Sequence, residues 1–568
     1  MIATSIKNRI ASGKAWVDVL AIVALLLLHP VLYNLDSSRG YFPPDAVLYM
    51  TFAENFLAKG LLYVTGSAAE SGTILPPLYP LLMLICNFFV DDFLISSELV
   101  SSVAVIAVSF ISYLIIRQLG NPFYAFLGAL AIQLTYQLNL WAITPLTEAT
   151  FILILAVSLW VALRVIRTKG PVWLFVLGAM LALVFFTRQV GIILVPFFLL
   201  VAFFAVPRRF HYSPLILLAG LALFLVPYML ILHSQGNRIG ADLSAFEQHW
   251  STGKGISVDS VDKSTLEYVR SIRNTPENNY EDAYVKRRLL RQLLPDSTAM
   301  LSQINFAPQN DVQTGINKWL TFVWNSRNGM GERLLFNAKI LYETMGNIVF
   351  VAFFITLLTP LLIGRKREAL LSRYLIGGFV LYYLIALSVL TGLIDRYVTI
   401  LAPFVLLHIF LEVVRLVSFG RLRVRGIPLA PIIITVTVAA CSYSQPENYS
   451  DVPLFAKGSL EQHGESNFRK FVATGEPIFS IAPFHAYVSG GIWRAMPNDS
   501  LEKIAKYAAQ EGVRWLVVVH KPQSEVRAYV HAKSWYLDKS LLREYRHLVG
   551  LRAISRDGRS FLFQFKTN

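Results

Sequence analysis

Long apolar segments separated by short basic turns fill most of the chain. Eleven of these segments approach the ~20 apolar residues that a bilayer-crossing helix needs. They are 15–33, 97–116, 122–139, 150–166, 171–187, 190–206, 213–232, 346–363, 373–392, 398–416 and 427–442. The pattern predicts a mainly α-helical, polytopic membrane protein, with about 11 transmembrane helices in a membrane domain that covers residues 1–442.

A further apolar segment, 76–90, begins with prolines and ends at Asp91 and Asp92. We interpret it as an interfacial or re-entrant helix on the outer side, with the N-terminus in the cytoplasm. Every short basic turn then faces the cytoplasm, as the positive-inside rule requires. These turns and the N-terminal tail hold 17 Lys and Arg residues and two acidic residues. Their net charge of +15 equals the net charge of the whole chain. The basic excess therefore indicates the orientation of the protein in the membrane, and it is not a sign of a nucleic-acid partner.

Three segments remain outside the membrane in this topology: the loops 34–96 and 233–345 and the tail 443–568. The tail predicts a small extracytoplasmic α/β domain. Strand-type runs lie at 478–482, 514–519 and 561–565, and Asp499 and Ser500 can cap a helix that runs to about Gln510. The tail residues His485, Tyr487, Trp493 and Arg494 form no recognisable site.

The composition excludes an ordinary soluble protein. Charged residues make up 15% of the chain, against about a quarter in soluble domains, and the mean hydropathy is +0.52. The two cysteines, Cys86 and Cys441, provide no disulfide framework and no metal cluster. Walker, zinc-peptidase and serine-hydrolase motifs are absent from the sequence, so ATP-driven transport and those hydrolytic mechanisms gain no support.

The first external loop carries a candidate catalytic acid, Asp45. Pro44 fixes the backbone before it, a helical pattern follows, and Tyr49 lies one turn further on the same face. A carboxylate at the outer membrane surface can act as a general base. An aspartate after a proline-rich turn is also a common helix N-cap. The two roles are compatible, and the residue alone does not separate them.

Glu148, Arg188 and Arg396 are predicted at the same external boundary as Asp45, although the four span some 350 positions. Two arginines and two carboxylates at one depth suit a phosphorylated, lipid-linked ligand. Simpler readings stay open. Glu148 would be an exposed helix-start charge, Arg188 a structural partner of an acid, and Arg396 a surface partner of its neighbour in sequence. Lys59 would be a solvated charge at a helix end.

Several short motifs occur in a characteristic order. They are Gly40 to Tyr49, Pro76 to Pro80, Trp141 to Glu148, Thr187 to Gly191, and Asp395 to Tyr397 followed by Pro403. The ordered set resembles the GT-C superfamily of membrane glycosyltransferases over roughly residues 15–416. Within it, lipid-A aminoarabinose transferases and protein O-mannosyltransferases are most similar. Many relatives carry two adjacent acids where this chain has Asp45 between Pro44 and Ala46. We therefore assign no metal ligand and no certain cofactor, and a divalent cation stays an open alternative.

The resemblance implies a polyprenyl-phosphate-linked sugar donor, an acceptor that is lipid A, another glycan or a protein, and inversion at the anomeric carbon. Asp45 and Glu148 would be catalytic, with Asp45 as the general base. Arg188, Arg396 and Lys59 would bind the donor phosphate. The substrate cavity would be lined by Tyr49, Tyr79, Gln189 and Tyr397.

The resemblance and the short basic N-terminal tail imply a bacterial inner membrane, with the chemistry on the periplasmic side. An archaeal membrane and the endoplasmic reticulum membrane stay open as alternatives. Two other functions remain as alternatives. A lipid-linked sugar flippase or transporter would carry ionisable residues at mid-membrane depth. A surface-polysaccharide ligase or polymerase would place its key residues in the 233–345 loop.

Overall fold

The protein is a bundle of apolar helices followed by a small mixed β-sheet. The structure, a computed structural model, describes residues 15–36, 44–60, 75–118, 121–205, 212–235, 330–363, 367–390, 395–418, 429–443, 464–480, 483–495, 501–519, 545–555 and 560–566. Most of the predicted external loop 233–345 lies outside these residues.

The first half of the bundle contains ten helices within the described residues. They are α1 (Ala15–Asp36), α2 (Pro44–Lys59), α3 (Leu78–Val90), α4 (Phe93–Arg117), α5 (Pro122–Gln133), α6 (Tyr136–Ile143), α7 (Glu148–Thr168), α8 (Pro171–Thr187), α9 (Val195–Ala205) and α10 (Ser213–Ser234). The second half contains α11 (Met330–Met345), α12 (Asn347–Ile363), α13 (Arg367–Leu390), α14 (Asp395–Thr399), α15 (Ala402–Ser418) and α16 (Leu429–Tyr443).

Helices occupy every one of the predicted membrane segments, but not all of them are long single spans. Among the described residues, five helices are long and apolar enough to cross a membrane by themselves. A sixth span results if α11 and α12 are joined, although they bend by 115° at their junction. Gly346 lies at this junction with a φ of +77°, a conformation that glycine adopts without strain. The mainly helical membrane architecture is thus confirmed, whereas the count of eleven spans stays a prediction.

Helix α3 has the properties expected of an interfacial helix. Its 13 residues reach about 20 Å, which is short of the ~30 Å hydrocarbon core. Tyr79 and Met83 on one face are fully buried, whereas Ile85, Phe88 and Phe89 are largely exposed. An apolar face that the protein leaves uncovered is suited to contact with lipid.

Charged residues gather at the two opposite ends of the bundle. Helix α7 has 21 residues and is about 30 Å long, with Glu148 at its first residue and Arg167 in its last turn. At the Arg167 end, Glu412 of α15 pairs with both Arg373 and Arg415, and Arg167 lies within electrostatic range of Arg415. This end matches the basic side predicted to face the cytoplasm, so Glu148 lies at the opposite end.

Helices α8 and α10 pack with their backbones in close approach. A Cβ atom added at Gly178 would lie 1.9 Å from the carbonyl oxygen of Leu217, and one at Gly220 would lie 2.1 Å from that of Phe175. Small residues that allow such contact are typical of helix pairs in membranes. The pair forms one wall against which α2 packs through Phe52 and Phe185.

The C-terminal unit, residues 464–566, is built on a five-stranded sheet in the order β2-β1-β3-β5-β4. Its elements are β1 (Pro477–Ser480), α17 (Pro483–Val488), β2 (Ile492–Ala495), α18 (Leu501–Gln510), β3 (Trp515–Val519), β4 (Val549–Ile554) and β5 (Ser560–Phe565). Strands β2, β1 and β3 are parallel, and β5 pairs antiparallel with β3 and β4. The three predicted strands correspond to β1, β3 and β5.

Strands β2 and β4 were not expected from the sequence. Both are edge strands, so each pairs on one side only and needs no continuous apolar run. Strand β4 has only one fully buried residue, Val549, and its pairing with β5 is irregular between Leu551 and Ala553. Such a strand lacks the alternating pattern by which strands are recognised.

Candidate active site

A buried ion pair joins Glu148 and Arg188 at one end of the bundle. Arg373 and Arg415, which pair with Glu412 and are called the basic cluster below, lie at the opposite end. Arg188 Nη1 lies 2.6 Å from Glu148 Oε1, and the two side chains are 8% and 1% exposed. Glu148 is the first residue of α7, where the helix dipole favours a negative charge. Arg188 follows the last residue of α8 in an extended conformation with a φ of −151°. Two charges buried this deeply stabilise each other, because either one alone would be costly.

Tyr397 covers the Arg188 guanidinium. The Arg188 Cζ atom lies 4.4 Å from the centre of the Tyr397 ring, which is a cation–π contact. Tyr397 belongs to the short helix α14 and therefore reaches the ion pair from the second half of the bundle. Arg396 directly precedes it in the same helix, but the side chain of Arg396 lies outside the described atoms.

Two further tyrosines approach the pair from helices α2 and α3. The rings of Tyr49 and Tyr79 meet edge to face with centroids 5.5 Å apart. Tyr49 lies within electrostatic range of Arg188, and Tyr79 within range of Glu148. The Tyr79 hydroxyl donates to the carbonyl oxygen of Ser97 at 3.1 Å, which fixes its ring against α4. Side chains from both helices thus approach the ion pair.

Of the remaining predicted site residues, Asp45 and Lys59 are described by their backbones alone, and Gln189 lies beside Arg188. Asp45 lies in the first turn of α2, one turn before Tyr49, and its side chain lies outside the described atoms. Lys59 ends the same helix, roughly 20 Å along the axis from Asp45, and its side chain is likewise not described. Gln189 is half-buried beside Arg188, and its buried Nε2 atom has no hydrogen-bond partner among the described residues.

One buried tyrosine near the pair, Tyr383 of α13, was not expected from the sequence. It is fully buried, and its hydroxyl has no hydrogen-bond partner among the described residues. The residue lies within electrostatic range of Arg188, Tyr397 and Glu148. Since buried hydroxyls are normally bonded, such a group beside a buried arginine fits a site for a polar ligand. The signal in the sequence was a pair of adjacent tyrosines inside an apolar helix.

In the described part of the chain, no three side chains of His, Cys, Asp or Glu gather in a way that could hold a metal. The Asp45 carboxylate is not among these side chains, so the open alternative of a divalent cation stays as the sequence left it.

The geometry can be compared with known proteins. Residues 75–232 match the family model described as dolichyl-phosphate-mannose-protein mannosyltransferase, and this stretch contains Tyr79, Glu148 and Arg188. The crystal structure of ArnT from Cupriavidus metallidurans bound to undecaprenyl phosphate is similar, with a TM-score of 0.53 and 11% identity over 96% of this chain and 97% of that chain.

A second similar structure is the oligosaccharyltransferase AglB from Archaeoglobus fulgidus, in complex with an inhibitory peptide and a dolichol-phosphate. Its TM-score is 0.51 with 13% identity, over 98% of this chain and 74% of that chain. No curated protein matches this chain by sequence.

The chain has the fold of these two solved structures, ArnT and AglB. The resemblance inferred from the motif order is confirmed, since a family model and two solved structures lead independently to the same group. At these low identities, the structural likeness establishes the fold, and the activity needs an argument of its own.

Proposed function

We propose that the protein is an integral membrane glycosyltransferase that moves a sugar from a polyprenyl-phosphate donor to an acceptor on the outer face of the membrane. One observation carries the proposal. Tyr49, Glu148, Arg188 and Tyr397 come from four separate segments and gather at the end of the bundle opposite the basic cluster. The solved structures of this fold named above bind undecaprenyl phosphate and dolichol-phosphate.

Arg188 and Arg396 are proposed to bind the donor phosphate. A guanidinium has five N–H donors in a rigid fork, and the contact with Glu148 occupies only part of this capacity. Glu148 would hold the Arg188 fork in place and orient the acceptor. The arginines would also stabilise the charge that develops on the leaving phosphate.

Asp45 is proposed as the general base. It takes the proton from the acceptor hydroxyl while the hydroxyl oxygen attacks the anomeric carbon of the sugar. The bond between this carbon and the phosphate oxygen breaks, and the phosphate leaves with the electron pair. Attack opposite to the leaving group inverts the configuration of the sugar. The helix α2 places Asp45 one turn from Tyr49, whose neighbourhood contains the Glu148–Arg188 pair.

The proposed partners are those that the family resemblance implies. The acceptor is a hydroxyl of lipid A, another glycan or a protein, and the donor's lipid tail lies among the helices in the bilayer. We place the protein in a bacterial inner membrane with its N-terminus in the cytoplasm and its C-terminal unit outside. A donor bound to a lipid removes the need for a nucleotide sugar at this side.

The decisive experiment replaces Asp45 by Asn. We expect the Asp45→Asn variant to fold and insert normally and to lose transfer by about a hundredfold or more, because an amide cannot accept the proton. The measurement is transfer from a panel of polyprenyl-phosphate sugars to membrane acceptors, with donor binding measured in parallel.

The matched control is Asp91→Asn. Asp91 is an exposed carboxylate that ends helix α3 in the left-handed conformation, which Asn also tolerates. This variant is expected to retain wild-type transfer. If Asp45→Asn transfers sugar at the wild-type rate, Asp45 is not the base. If the wild-type protein transfers no sugar from any member of the panel, the proposed activity is wrong.

A further inference from the structure

The C-terminal unit contacts helix α2 through a hydrogen bond between side chains and through an apolar cluster. The Tyr487 hydroxyl donates to Glu54 Oε1 at 2.6 Å, which joins residues 433 positions apart. Next to it, Val488 is fully buried against Ala46, Val47 and Met50 of α2. The contact therefore combines a short charge-assisted hydrogen bond with dry packing.

The contact lies on one defined face of α2. Ala46, Met50 and Glu54 follow one another at four-residue intervals and form one stripe along the helix. A different face, which contains Phe52, packs against Phe185 and the end of α10. Helix α2 is thus held on two sides, and its first turn carries Asp45.

The other partner, helix α17, is itself fixed to the sheet. The Arg469 Nε atom donates to the carbonyl oxygen of Val488 at 2.9 Å, and Ala486 is buried against Phe468 and Ile478. Gly490, with a φ of +81°, ends the helix and turns the chain into β2. The sheet, α17 and α2 therefore form a continuous packed path towards Asp45.

Burial and the neighbouring charges keep Tyr487 as the donor of this bond. Burial and the adjacent Glu54 carboxylate raise the pKa of Tyr487, so its hydroxyl keeps its proton and stays a donor. Burial raises the pKa of Glu54, and the bond from Tyr487 and the charge of Arg469 oppose this shift. Asp92 is a further charge within range of the Tyr487 hydroxyl.

We propose that Tyr487 is a positioning residue, which acts through Glu54 and helix α2 to hold Asp45 in register with the Glu148–Arg188 pair. This inference rests on the proposed function, because it assigns Asp45 to the reaction. In this proposal, the C-terminal unit holds helix α2, and with it Asp45, in place from outside the membrane.

The test compares Tyr487→Phe with the wild-type protein. Phenylalanine keeps the ring in its packing and removes only the hydroxyl. We expect kcat to fall about tenfold, equivalent to one hydrogen bond, while the KM for the polyprenyl-phosphate donor stays unchanged. Glu54→Gln keeps an acceptor oxygen and is expected to lose less activity than Tyr487→Phe. The two changes together should cost no more than Tyr487→Phe alone, because both act on one contact.

A readout that does not depend on activity accompanies the kinetics. Amide hydrogen exchange of the full-length protein should become faster in peptides from α2 when Tyr487 is changed to Phe. The control is Tyr507→Phe, because Tyr507 belongs to the same unit and stacks on Phe479 there. This control should change neither the exchange of α2 nor kcat.

The outcomes separate the two proposals. Faster exchange in α2 with unchanged kcat would overturn the positioning role, and so would unchanged exchange. A parallel rise in KM would assign Tyr487 to substrate binding and would also overturn it. If no polyprenyl-phosphate sugar is transferred by the wild-type protein, the proposed function fails, whereas the exchange data still report whether the contact holds α2.

Discussion

At the scale of single residues, the buried hydroxyl of Tyr383 is the polar group near the ion pair that most needs an explanation. It lies near Arg188 without a hydrogen-bond partner among the described residues. Leaving such a group unbonded costs about 1–3 kcal/mol, so its retention needs a reason. A phosphate oxygen of the donor would provide one, because it accepts hydrogen bonds from arginine and tyrosine alike.

We therefore expect Tyr383→Phe to weaken the binding of undecaprenyl phosphate about tenfold, and to leave the melting temperature unchanged or slightly raised. Titration calorimetry and thermal unfolding in detergent measure the two quantities. The matched control is Tyr382→Phe, which removes the bond from Tyr382 to the carbonyl oxygen of Ile193, 2.7 Å long. It should lower the melting temperature and leave the affinity unchanged. The opposite pattern in the two variants would show that Tyr383 has a purely structural role.

At this same scale, the sequence indicated which residues matter better than how they are arranged. Motif order singled out Glu148, Arg188 and Tyr397, and the structure gathers them. That Arg188 pairs with an acid was one of the open alternatives, but the acid was not named, since no spacing links two residues at the ends of different helices. The alternative of an exposed charge at Glu148 is wrong, because its side chain is 1% exposed. The contact of Tyr487 with Glu54 was not foreseen for the same reason.

At the scale of elements, the close approach of α8 and α10 determines the position of the surface against which α2 packs. Ala at position 178 would bring its Cβ within 1.9 Å of the Leu217 carbonyl oxygen, and a backbone atom cannot move aside as a flexible side chain can. We expect Gly178→Ala to separate the helices and to destabilise the protein by about 1–3 kcal/mol or more. Thermal unfolding in detergent, followed by circular dichroism, measures this loss.

Gly378 of α13 provides the control for this prediction. A Cβ atom added there meets nothing within 4 Å, so only the helix propensity changes. Gly378→Ala should therefore be neutral or stabilising by about 0.5–1 kcal/mol. Equal losses in both variants would mean that the cost at position 178 does not come from the contact between the helices.

The boundaries of the helices also show where the pattern of apolar residues stops predicting the structure. Apolar runs predicted each membrane segment, because burial in lipid or protein demands them. They gave no sign that residues 122–139 would divide into α5 and α6, or that α11 and α12 would bend by 115° at Gly346. Such breaks arise from turns of one or two residues, and an average over a long window conceals them.

At the scale of the whole molecule, two charge clusters at opposite ends of α7 define a direction across the bundle. One end holds Glu148 and Arg188, and the other holds Arg373 and Arg415 around Glu412. The fold by itself does not say which end faces the cytoplasm. The distribution of basic turns along the sequence provides that information, and the proposed chemistry depends on it, since a lipid-linked donor is needed only outside.

This orientation can be tested by cysteine labelling in a background with Cys86→Ser and Cys441→Ser. Thr168 is exposed at the basic end of α7, and Glu511 is exposed in the C-terminal unit. A membrane-impermeant maleimide added to intact cells should label Glu511→Cys and leave Thr168→Cys unlabelled until the membrane is permeabilised. Equal labelling of both variants in detergent controls for reactivity. If Thr168→Cys is labelled from outside instead, the Glu148–Arg188 site faces the cytoplasm and the external reaction is excluded.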